Sequence, residues 1–524
     1  MAIYQQGTLN TTALVVPDLY VQVVPPQNLV LNGVPTNMVG IVGTASWGPV
    51  NQPAVVGTMA DYVTNFGPVI DRTYDMGTPV ATAVQQGASD FRCVRVTDGT
   101  DTAASYAIAF LNGVYAALLT ARYTGTQGNS ISISLSSGSQ FGTWRLTTAM
   151  PGQVPEIFDN IPAATPAAFW AALIAAVNGG NGPLRGPSQL LVATLGTATS
   201  VAPAAFSGQT LLGGTDGAAA ISAATLVGQD ILPRQGMYAL RGQGCSIALL
   251  ADSDQPTQWT TQAAFGESEG VYMILTGPPG DTITDAVTVI QQSGLDSFAA
   301  KLMFGDWVYW SDQANGVIRL VSPQGFVAGR LANLSPEQSS LNKPLYSVVG
   351  TQSAGVPGSS QSATYSEAEL QTLVLAGIDL IANPQPGGAY WGVRFGHNTS
   401  SNAATNGDNY TRMTNFIAAT LAAGMGQFVG QVINNTLFQQ IRSTELSFLQ
   451  ALLSQGILAL AADGSIPFSV ICDATNNPLS RTSLGYVQSD AQVQYQGINE
   501  KFIVNVEGGQ TVVVQSQLLP SGPI

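Results

Sequence analysis

Apolar, strand-like runs alternate with spacers of helical length through the middle of this 524-residue chain. The runs are Ser246–Ala251, Val271–Thr276 and Ala299–Trp310, and the spacers between them end near Gly270 and Gly294. Strands joined through helices form crossovers of fixed hand, so this pattern predicts right-handed βαβ units and a parallel or mixed sheet. An α/β core is therefore the element of the fold that the sequence constrains most.

The N-terminal region from Val39 to Val96 repeats the alternation. A helix is expected over Met59–Phe66, and Thr78-Pro79 predicts a second one, with Thr78 as its N-cap and Gly87 as its stop. Asp90–Val96 then has the composition of a buried strand. Single cores rarely grow beyond roughly 250 residues, so the chain should hold several domains. We assign both α/β regions to one discontinuous central domain, residues 28–121 and 207–350.

Residues 122–206 have a different pattern and are predicted to form an inserted, β-rich domain. Ile131–Leu135 alternates with strict period two, Trp144–Thr147 is strand-like, and Thr165–Val177 has the composition of an alanine-rich helix. The change of pattern indicates an insertion into the central domain.

Residues 351–506 predict a C-terminal α/β domain. Ser366-Glu-Ala-Glu369 is a capping box that we expect to open a helix reaching Ile381. Helices over Asp408–Ala423 and Leu437–Leu453 present apolar faces that can cover the last sheet. The predicted fold class is thus α/β, or α+β overall: a multidomain chain with a mixed sheet in its core, an insertion, and extended arms at 1–27 and 507–524.

Charge excludes several classes of function. Seventeen basic against 31 acidic side chains give a net charge of −14 with no basic run, so the footprint of a nucleic-acid binder is missing. Charged residues make up only 9% of the chain, against about 25% in ordinary domains. We expect other subunits to bury much of this weakly charged surface.

The ends and the apolar runs bear on location. The first residues lack the basic and apolar regions of a secretory signal. Phe169–Val177 is far shorter than the ~18 apolar residues of a membrane span. We therefore expect a protein that is made and assembled in a cytoplasm and does not insert into a membrane.

Residues with catalytic or metal-binding chemistry are sparse. Cys93, Cys245 and Cys472 are widely spaced, which favours buried thiols over a disulfide framework or a zinc site. The single histidine, His397, stands in a loop-like segment without the context of a nucleophile elbow or a papain-like cysteine. We expect a loop or interface histidine.

Paired aspartates offer one alternative, a metal-dependent α/β enzyme. Asp252 and Asp254 follow a strand, as do the acids that hold a metal with a nucleotide sugar, although a turn with a helix N-cap explains them more simply. Asp98 and Asp101 form a similar turn-like pair without the full calcium-loop pattern. Neither a P-loop nor a dinucleotide-binding glycine motif follows a predicted strand, so no cofactor is predicted.

Both ends of the chain carry extended, β-prone segments. Tyr20–Val24 is flanked by prolines, which allow a short added strand but not a long central one. Phe502–Val506 and Thr511–Gln515 follow at the other end. An uncharged open edge is a template for pairing with another chain. The predicted pairing residues between subunits are Tyr20, Val21, Gln22, Val23, Phe502, Ile503, Val504, Val512, Val513 and Val514. Pairing within the same subunit is the alternative.

Several motifs occur together in an order that resembles one family. They are Gly40–Pro49, Pro53–Gly57, Gly125–Asn129, Leu211–Gly217, Val321–Arg330, Asn342–Pro344 and the ending Cys472–Gln515, in which Asn476-Asn-Pro478 precedes two alternating strands and a last extended segment. This arrangement resembles contractile-tail sheath proteins. The resemblance covers most of the chain outside residues 122–206.

The resemblance implies a structural function. Sheath subunits polymerise as a helical array around a tail tube and contract to drive the tube through a host envelope. It implies that both arms are donated strands, that the insertion faces outward, and that the C-terminal domain faces the tube. The implied partners are other copies, the tube, the baseplate and the tail terminator, in a virion or a bacteriocin-like particle. The alternatives are another structural tail component, or the enzyme based on Asp252 and Asp254.

Overall fold

The computed structural model describes residues 3–6, 20–23, 31–110, 113–183, 185–359 and 364–506. Up to residue 121 its elements are β1 (Ile3–Gln6), β2 (Tyr20–Val23), β3 (Val39–Gly43), β4 (Pro53–Val56), α1 (Met59–Phe66), α2 (Gly77–Gln85), β5 (Phe91–Arg95), β6 (Ser105–Ile108) and β7 (Ala117–Ala121).

The next region, to residue 303, contains β8 (Ser132–Ser137), β9 (Thr143–Ala149), β10 (Glu156–Pro162), α3 (Pro166–Gly179), β11 (Leu191–Leu195), β12 (Phe206–Thr210), α4 (Ala223–Val227), β13 (Ile247–Leu250), α5 (Trp259–Glu269), β14 (Tyr272–Thr276), α6 (Ile283–Ser293) and β15 (Ala300–Met303). The remainder contains β16 (Val308–Asp312), β17 (Val317–Val321), α7 (Gln324–Ala332), β18 (Val348–Thr351), α8 (Glu367–Leu375), β19 (Ile378–Asp379), β20 (Ile381–Ala382), β21 (Gly392–Val393), α9 (Asp408–Met425), α10 (Asn435–Ser454), β22 (Phe468–Ile471), α11 (Leu479–Thr482) and β23 (Asp490–Val493).

A seven-stranded mixed sheet forms the centre, in the order β19-β15-β14-β13-β3-β5-β4. All neighbours pair in parallel except β4, which runs antiparallel to β5 at one edge. Ile41 and Leu249 enter the apolar core on one face, whereas Val42 and Leu250 enter the core on the other. Burial on both faces explains the unbroken apolar runs of these strands. The predicted α/β fold with a mixed sheet is confirmed.

The prediction of one strand over Ala299–Trp310 is wrong. This stretch divides into β15 in the central sheet and β16 in a separate antiparallel sheet of order β17-β16-β18. Gly305 lies at the division, where a β-carbon would come within 2.0 Å of the carbonyl oxygen of Pro278. This close approach of two backbones bends the chain out of the central sheet, which an apolar pattern alone does not reveal.

Two predicted helix ends also need correction. Helix α8 has the predicted capping box at Ser366 but ends at Leu375, not Ile381. Gly377 then has a φ of 74°, a left-handed conformation that glycine adopts readily, and the chain continues as β19. Helix α2 begins at Gly77, so Met76 and not Thr78 is its N-cap. Thr78 lies in the first turn, where its amide donates a hydrogen bond to the Asp75 carboxylate at 3.1 Å.

The insertion contains two antiparallel sheets, β10-β9-β8-β12 and β11-β7-β6, packed with α3. Its apolar core runs from Ala104 to Leu211 and includes Trp47 from the central domain. Strands β6 and β7 precede the expected boundary at residue 122, yet they form a sheet with β11. The inserted domain therefore has a larger β-rich core than the alternation after residue 122 indicates.

The C-terminal domain packs α9 and α10 over a two-stranded sheet of β22 and β23. Both helices fall within two residues of their predicted bounds, and Phe416, Phe448 and Leu449 fill the core between them. The three cysteines are free and buried, as predicted. Among the described residues no helix has the length and apolarity needed to cross a membrane.

Candidate functional site

The sheet of β22 and β23 has two open edges. The strands pair antiparallel, with Ser469 opposite Gln492, and within the described ranges no third strand joins either of them. Two-stranded sheets are marginal by themselves, and an unpaired edge presents a row of free backbone donors and acceptors. This sheet can accept one further strand on each side.

Two pockets beside β23 and the residues that flank it are here together called the edge groove. The first, about 700 Å³, is lined by Ile417, Ala418 and Leu421 of α9 and by Val493 and Tyr495. The second, about 600 Å³, is lined by Met425 at the end of α9, by Phe428 and Val429 after it, and by Tyr486, Val487 and Ser489 before β23. Every second residue from Val487 to Tyr495 lines one pocket or the other.

The lining of the edge groove is almost uncharged. Its two charged residues are Glu445 and Glu500. Burial raises the pKa of Glu445, whose carboxylate accepts a hydrogen bond from the hydroxyl of Ser489 at 2.6 Å. Glu500 lies 2.9 Å from Nε2 of His397. A weakly charged strand fits such a lining better than a charged one.

The C-terminal domain also exposes many apolar side chains. Among the described residues they include Val429, Val432, Leu460, Ile466, Leu479, Leu484 and Tyr486. Exposed apolar patches of this kind usually mark surfaces that a partner covers. These apolar side chains are therefore available for contact with a partner.

The predicted arm residues within the described ranges form no strand pair with this sheet. Tyr20–Val23 form strand β2, as expected, and pair in parallel with Ile3–Gln6. Phe502, Ile503 and Val504 are 81%, 81% and 63% exposed and belong to no strand. Val512, Val513 and Val514 lie outside the described residues. Pairing between subunits remains a prediction for all of these residues.

A buried ionic cluster joins the central sheet to α9. Nζ of Lys301 lies 2.6 Å from Asp379 and 3.1 Å from Asp408. Burial alone would raise the pKa of Asp408, but Lys301 and hydrogen bonds from Ser340 and Tyr272 lower it to about 2. Burial acts to lower the pKa of Lys301, and the two carboxylates more than reverse this effect. The sequence pattern did not point to this cluster, although a lysine, Lys301, within an apolar strand-like run was a signal for it.

The aspartates considered as enzyme residues have structural roles here. Asp252 has a φ of 51°, and its buried carboxylate accepts the amide of Tyr74 at 3.0 Å. Burial raises the pKa of Asp252 to about 6 and also raises that of Asp254. Asp98 accepts the amides of Thr100 and Ala220, as in a closed turn. No group of three or more candidate metal ligands occurs in the described ranges.

Comparison with known proteins identifies the fold. No protein-family model and no curated protein matches the sequence. The structure is similar to the sheath tail protein of Desulfitobacterium hafniense, with a TM-score of 0.56, 14% identity, and 87% of this chain and 93% of that one covered. For the sheath tail protein of Listeria innocua the values are 0.60, 15%, 85% and 90%.

A third similar structure is the sheath complex of PVC, an extracellular contractile injection system, in its contracted state. Its TM-score is 0.54 at 11% identity, and 95% of this chain and 99% of that one are covered. Nearly the whole length of both chains is covered in this comparison. The chain therefore has the fold of contractile-tail sheath proteins, as its motifs predicted.

Proposed function

We propose that this protein is the sheath subunit of a contractile tail, which polymerises as a helical array around a tail tube and contracts to drive the tube through a host envelope. The observation that carries this proposal is the pair of open edges on the β22–β23 sheet, in a chain with a sheath fold. The chain carries two extended, β-prone ends. Two donated strands would complete a four-stranded sheet.

Strand addition supplies the association energy in small increments. Each added backbone hydrogen bond contributes roughly 1 kcal/mol net, so a single arm binds its neighbour weakly. Many arms in one lattice together bind the subunits tightly through multivalency. An arm that leaves one subunit and enters a different surface on the next makes a heterologous contact. Such contacts do not close on themselves, so they propagate as a helix.

Contraction in this scheme is a rigid-body rearrangement of subunits within a lattice that the arms keep connected. Its energy is stored at assembly, and the scheme requires no nucleotide. The exposed apolar residues of the C-terminal domain are available to neighbouring subunits and to the tube. The proposed partners are other copies, the tube, the baseplate and the tail terminator. The proposed location is a phage tail or a related injection particle, assembled in the host cytoplasm.

Disulfide trapping between two variants tests strand donation. One chain carries Val513→Cys in the C-terminal arm and the other carries Gln492→Cys on β23, and the native thiols are buried. After mixing and assembly, mild oxidation is expected to give a mixed dimer on a non-reducing gel. Gln440→Cys, which is exposed on α10 outside the edge groove, is the matched control and should react far less.

A chain that carries both Gln492→Cys and Val513→Cys distinguishes the alternative. If its two introduced thiols close rapidly within the monomer, and the mixed dimer of the single variants does not form, the arm pairs inside its own subunit and the proposal fails. A mixed dimer formed equally well by the Gln440→Cys control would also contradict it, because contact would then be nonspecific.

A further inference from the structure

The C-terminal arm leaves the body of the protein after a short anchored segment, residues 494–500, here called the strap. The amide of Gln494 donates to the carbonyl of Pro467 at 2.7 Å. Nε2 of Gln496 donates to the carbonyls of Gly456 and Ile457, at 3.0 and 3.1 Å, and its own carbonyl accepts from Asn409 at 3.0 Å. The strap is therefore tied to the ends of both α9 and α10.

The last contact that anchors the strap joins the side chains of Glu500 and His397. Their side chains meet at 2.9 Å, with His397 only 15% exposed and Glu500 40% exposed. From Lys501 to Val506 every residue is exposed and no strand or helix forms. Within the described part of the chain, hydrogen bonding to the body thus ends at Glu500.

His397 is itself held by the buried ionic cluster. Its carbonyl accepts a hydrogen bond from Nζ of Lys301 at 2.9 Å. Its amide and that of Gly396 both donate to Asp379, at 3.3 and 2.8 Å. Lys301 lies on β15, the second strand of the central sheet, next to the edge strand β19. A continuous set of direct contacts therefore connects Glu500, His397 and the central sheet.

We propose that His397 and Gln496 are positioning residues that fix the root of the C-terminal arm. They set the point from which the exposed residues 501–506 leave the body, and they pass a pull on this segment to the central sheet through Lys301 rather than to the small β22–β23 sheet alone. What the arm binds follows from the proposed function, and this inference rests on that function for its consequence. The anchoring itself is a property of the isolated chain.

Tryptic cleavage after Lys501 measures the anchoring in the soluble chain. A protease needs several extended residues on both sides of the bond, so cleavage there requires the strap to open. His397→Ala leaves the cleavage sequence unchanged and removes a partly exposed charge-assisted contact. We expect cleavage after Lys501 to become about 2- to 5-fold faster, as loss of such a pair implies. His397→Gln, which retains a donor, should restore much of the protection.

A nitroxide at Ile503→Cys provides an independent readout, because the native thiols are buried. The label should become more mobile in His397→Ala, in Glu500→Gln and in Gln496→Ala. Asp61→Asn removes an exposed carboxylate bonded to Thr58 at the start of α1, which packs on β4 at the opposite edge of the central sheet. It is the matched control and should change neither cleavage nor mobility.

Unchanged cleavage after Lys501 in His397→Ala, with unchanged mobility at position 503 in all three strap variants, would overturn the inference. Equal effects in Asp61→Asn would also overturn it, since the cause would then be general loosening. These measurements use the unassembled chain, so their result does not depend on whether the proposed function is correct. A firmly anchored arm in a chain that never forms a sheath would refute only the function.

Discussion

Lys301 is the residue on which the joint between the central sheet and α9 depends. Its ammonium group is fully buried between two carboxylates and also binds the carbonyl of His397. Asp408 contributes stability above the pKa it has in the unfolded chain, near 4, because its folded pKa is lowered to about 2. That contribution is lost as the pH falls from about 4 toward 2.

Replacing this cation should be severe. Lys301→Met leaves Asp379 and Asp408 buried without a counter-charge, and breaking a buried pair in this way costs about 3–5 kcal/mol. The loss in free energy of unfolding should be larger at pH 7 than at pH 4.5, because protonation of the carboxylates relieves it at low pH. Urea denaturation at both pH values measures this. The exposed Lys501→Met should stay within about 0.5 kcal/mol of the parent, and an equal cost for both variants would contradict the assignment.

Asp75 predicts a pH dependence of the opposite sign. Burial raises its pKa to about 7, although Arg72 and the amides of Ile70 and Thr78 oppose the shift. Since the folded state holds this proton more tightly than the unfolded chain, the free energy of unfolding falls as the pH rises from about 4 to 7. Asp75→Asn retains an acceptor for the Thr78 amide and cannot ionise.

The variant Asp75→Asn should therefore gain stability over the parent as the pH rises, by on the order of 2–4 kcal/mol between pH 4 and 7.5. Denaturation midpoints across this range provide the measurement. Asp463→Asn, at an exposed turn where hydrogen bonds from Ser465 lower the carboxylate pKa, should differ from the parent by a constant amount above pH 5. A constant offset for Asp75→Asn as well would contradict burial as the cause.

At the scale of elements, the junction between the insertion and the central domain is braced by Asp216. Its carboxylate accepts the amide of Thr126 and a guanidinium hydrogen of Arg72, both at 2.6 Å. Its carbonyl accepts from the buried Arg95, which also donates to the carbonyl of Thr124 at 2.7 Å. Both chain segments that connect the inserted domain to the central domain are thus hydrogen-bonded around Asp216. These bonds favour a rigidly attached inserted domain.

Gly125 tests this junction. It has a φ of 128°, and a β-carbon there would lie 2.0 Å from the carbonyl oxygen of Ser46. Gly125→Ala should cost at least about 3 kcal/mol, from strain and a clash that backbone must absorb. Gly142→Ala, with a φ of 75° and open space, should cost only about 1 kcal/mol. Guanidinium denaturation measures the free energy of unfolding of both variants. Equal losses would show that the backbone at the junction can move to accept the added β-carbon.

Local pattern was sufficient for elements whose burial is regular. Helices α1, α9 and α10 and strands β5, β13 and β14 of the central sheet follow from the apolar pattern, because each is buried along one stripe or on both faces. The break at Gly305, the short α8 and the early start of the outer sheets depend on close backbone approaches and on pairing partners far along the chain. The roles of Lys301 and His397 could not be predicted for the same reason, because the side-chain partners of both residues lie 78 or more residues away.

At the scale of the whole molecule, low charge density and net negative charge act together. Each subunit carries −14, while the edge groove has only two charged residues. Like-charged subunits repel over a Debye length, and salt screens that repulsion. Because the edge groove is weakly charged, salt should weaken the binding of an added strand very little.

Assembly should therefore be promoted by salt. The critical concentration for assembly, measured by sedimentation, should fall as NaCl rises from about 50 to 500 mM, a change in Debye length from roughly 14 to 4 Å. A critical concentration that rises with salt would show that ion pairs between subunits, and not strands and apolar surface, dominate the contact.

Electron microscopy of the purified chain tests the central claim most directly. The intact protein, alone or with its tail tube, should form long striated tubes in negative stain, and the chain truncated after Gly508 should form none while remaining folded by circular dichroism. Discrete particles from the intact chain both with and without the tube, or tubes of unchanged order from the truncated chain, would contradict a sheath joined by donated strands.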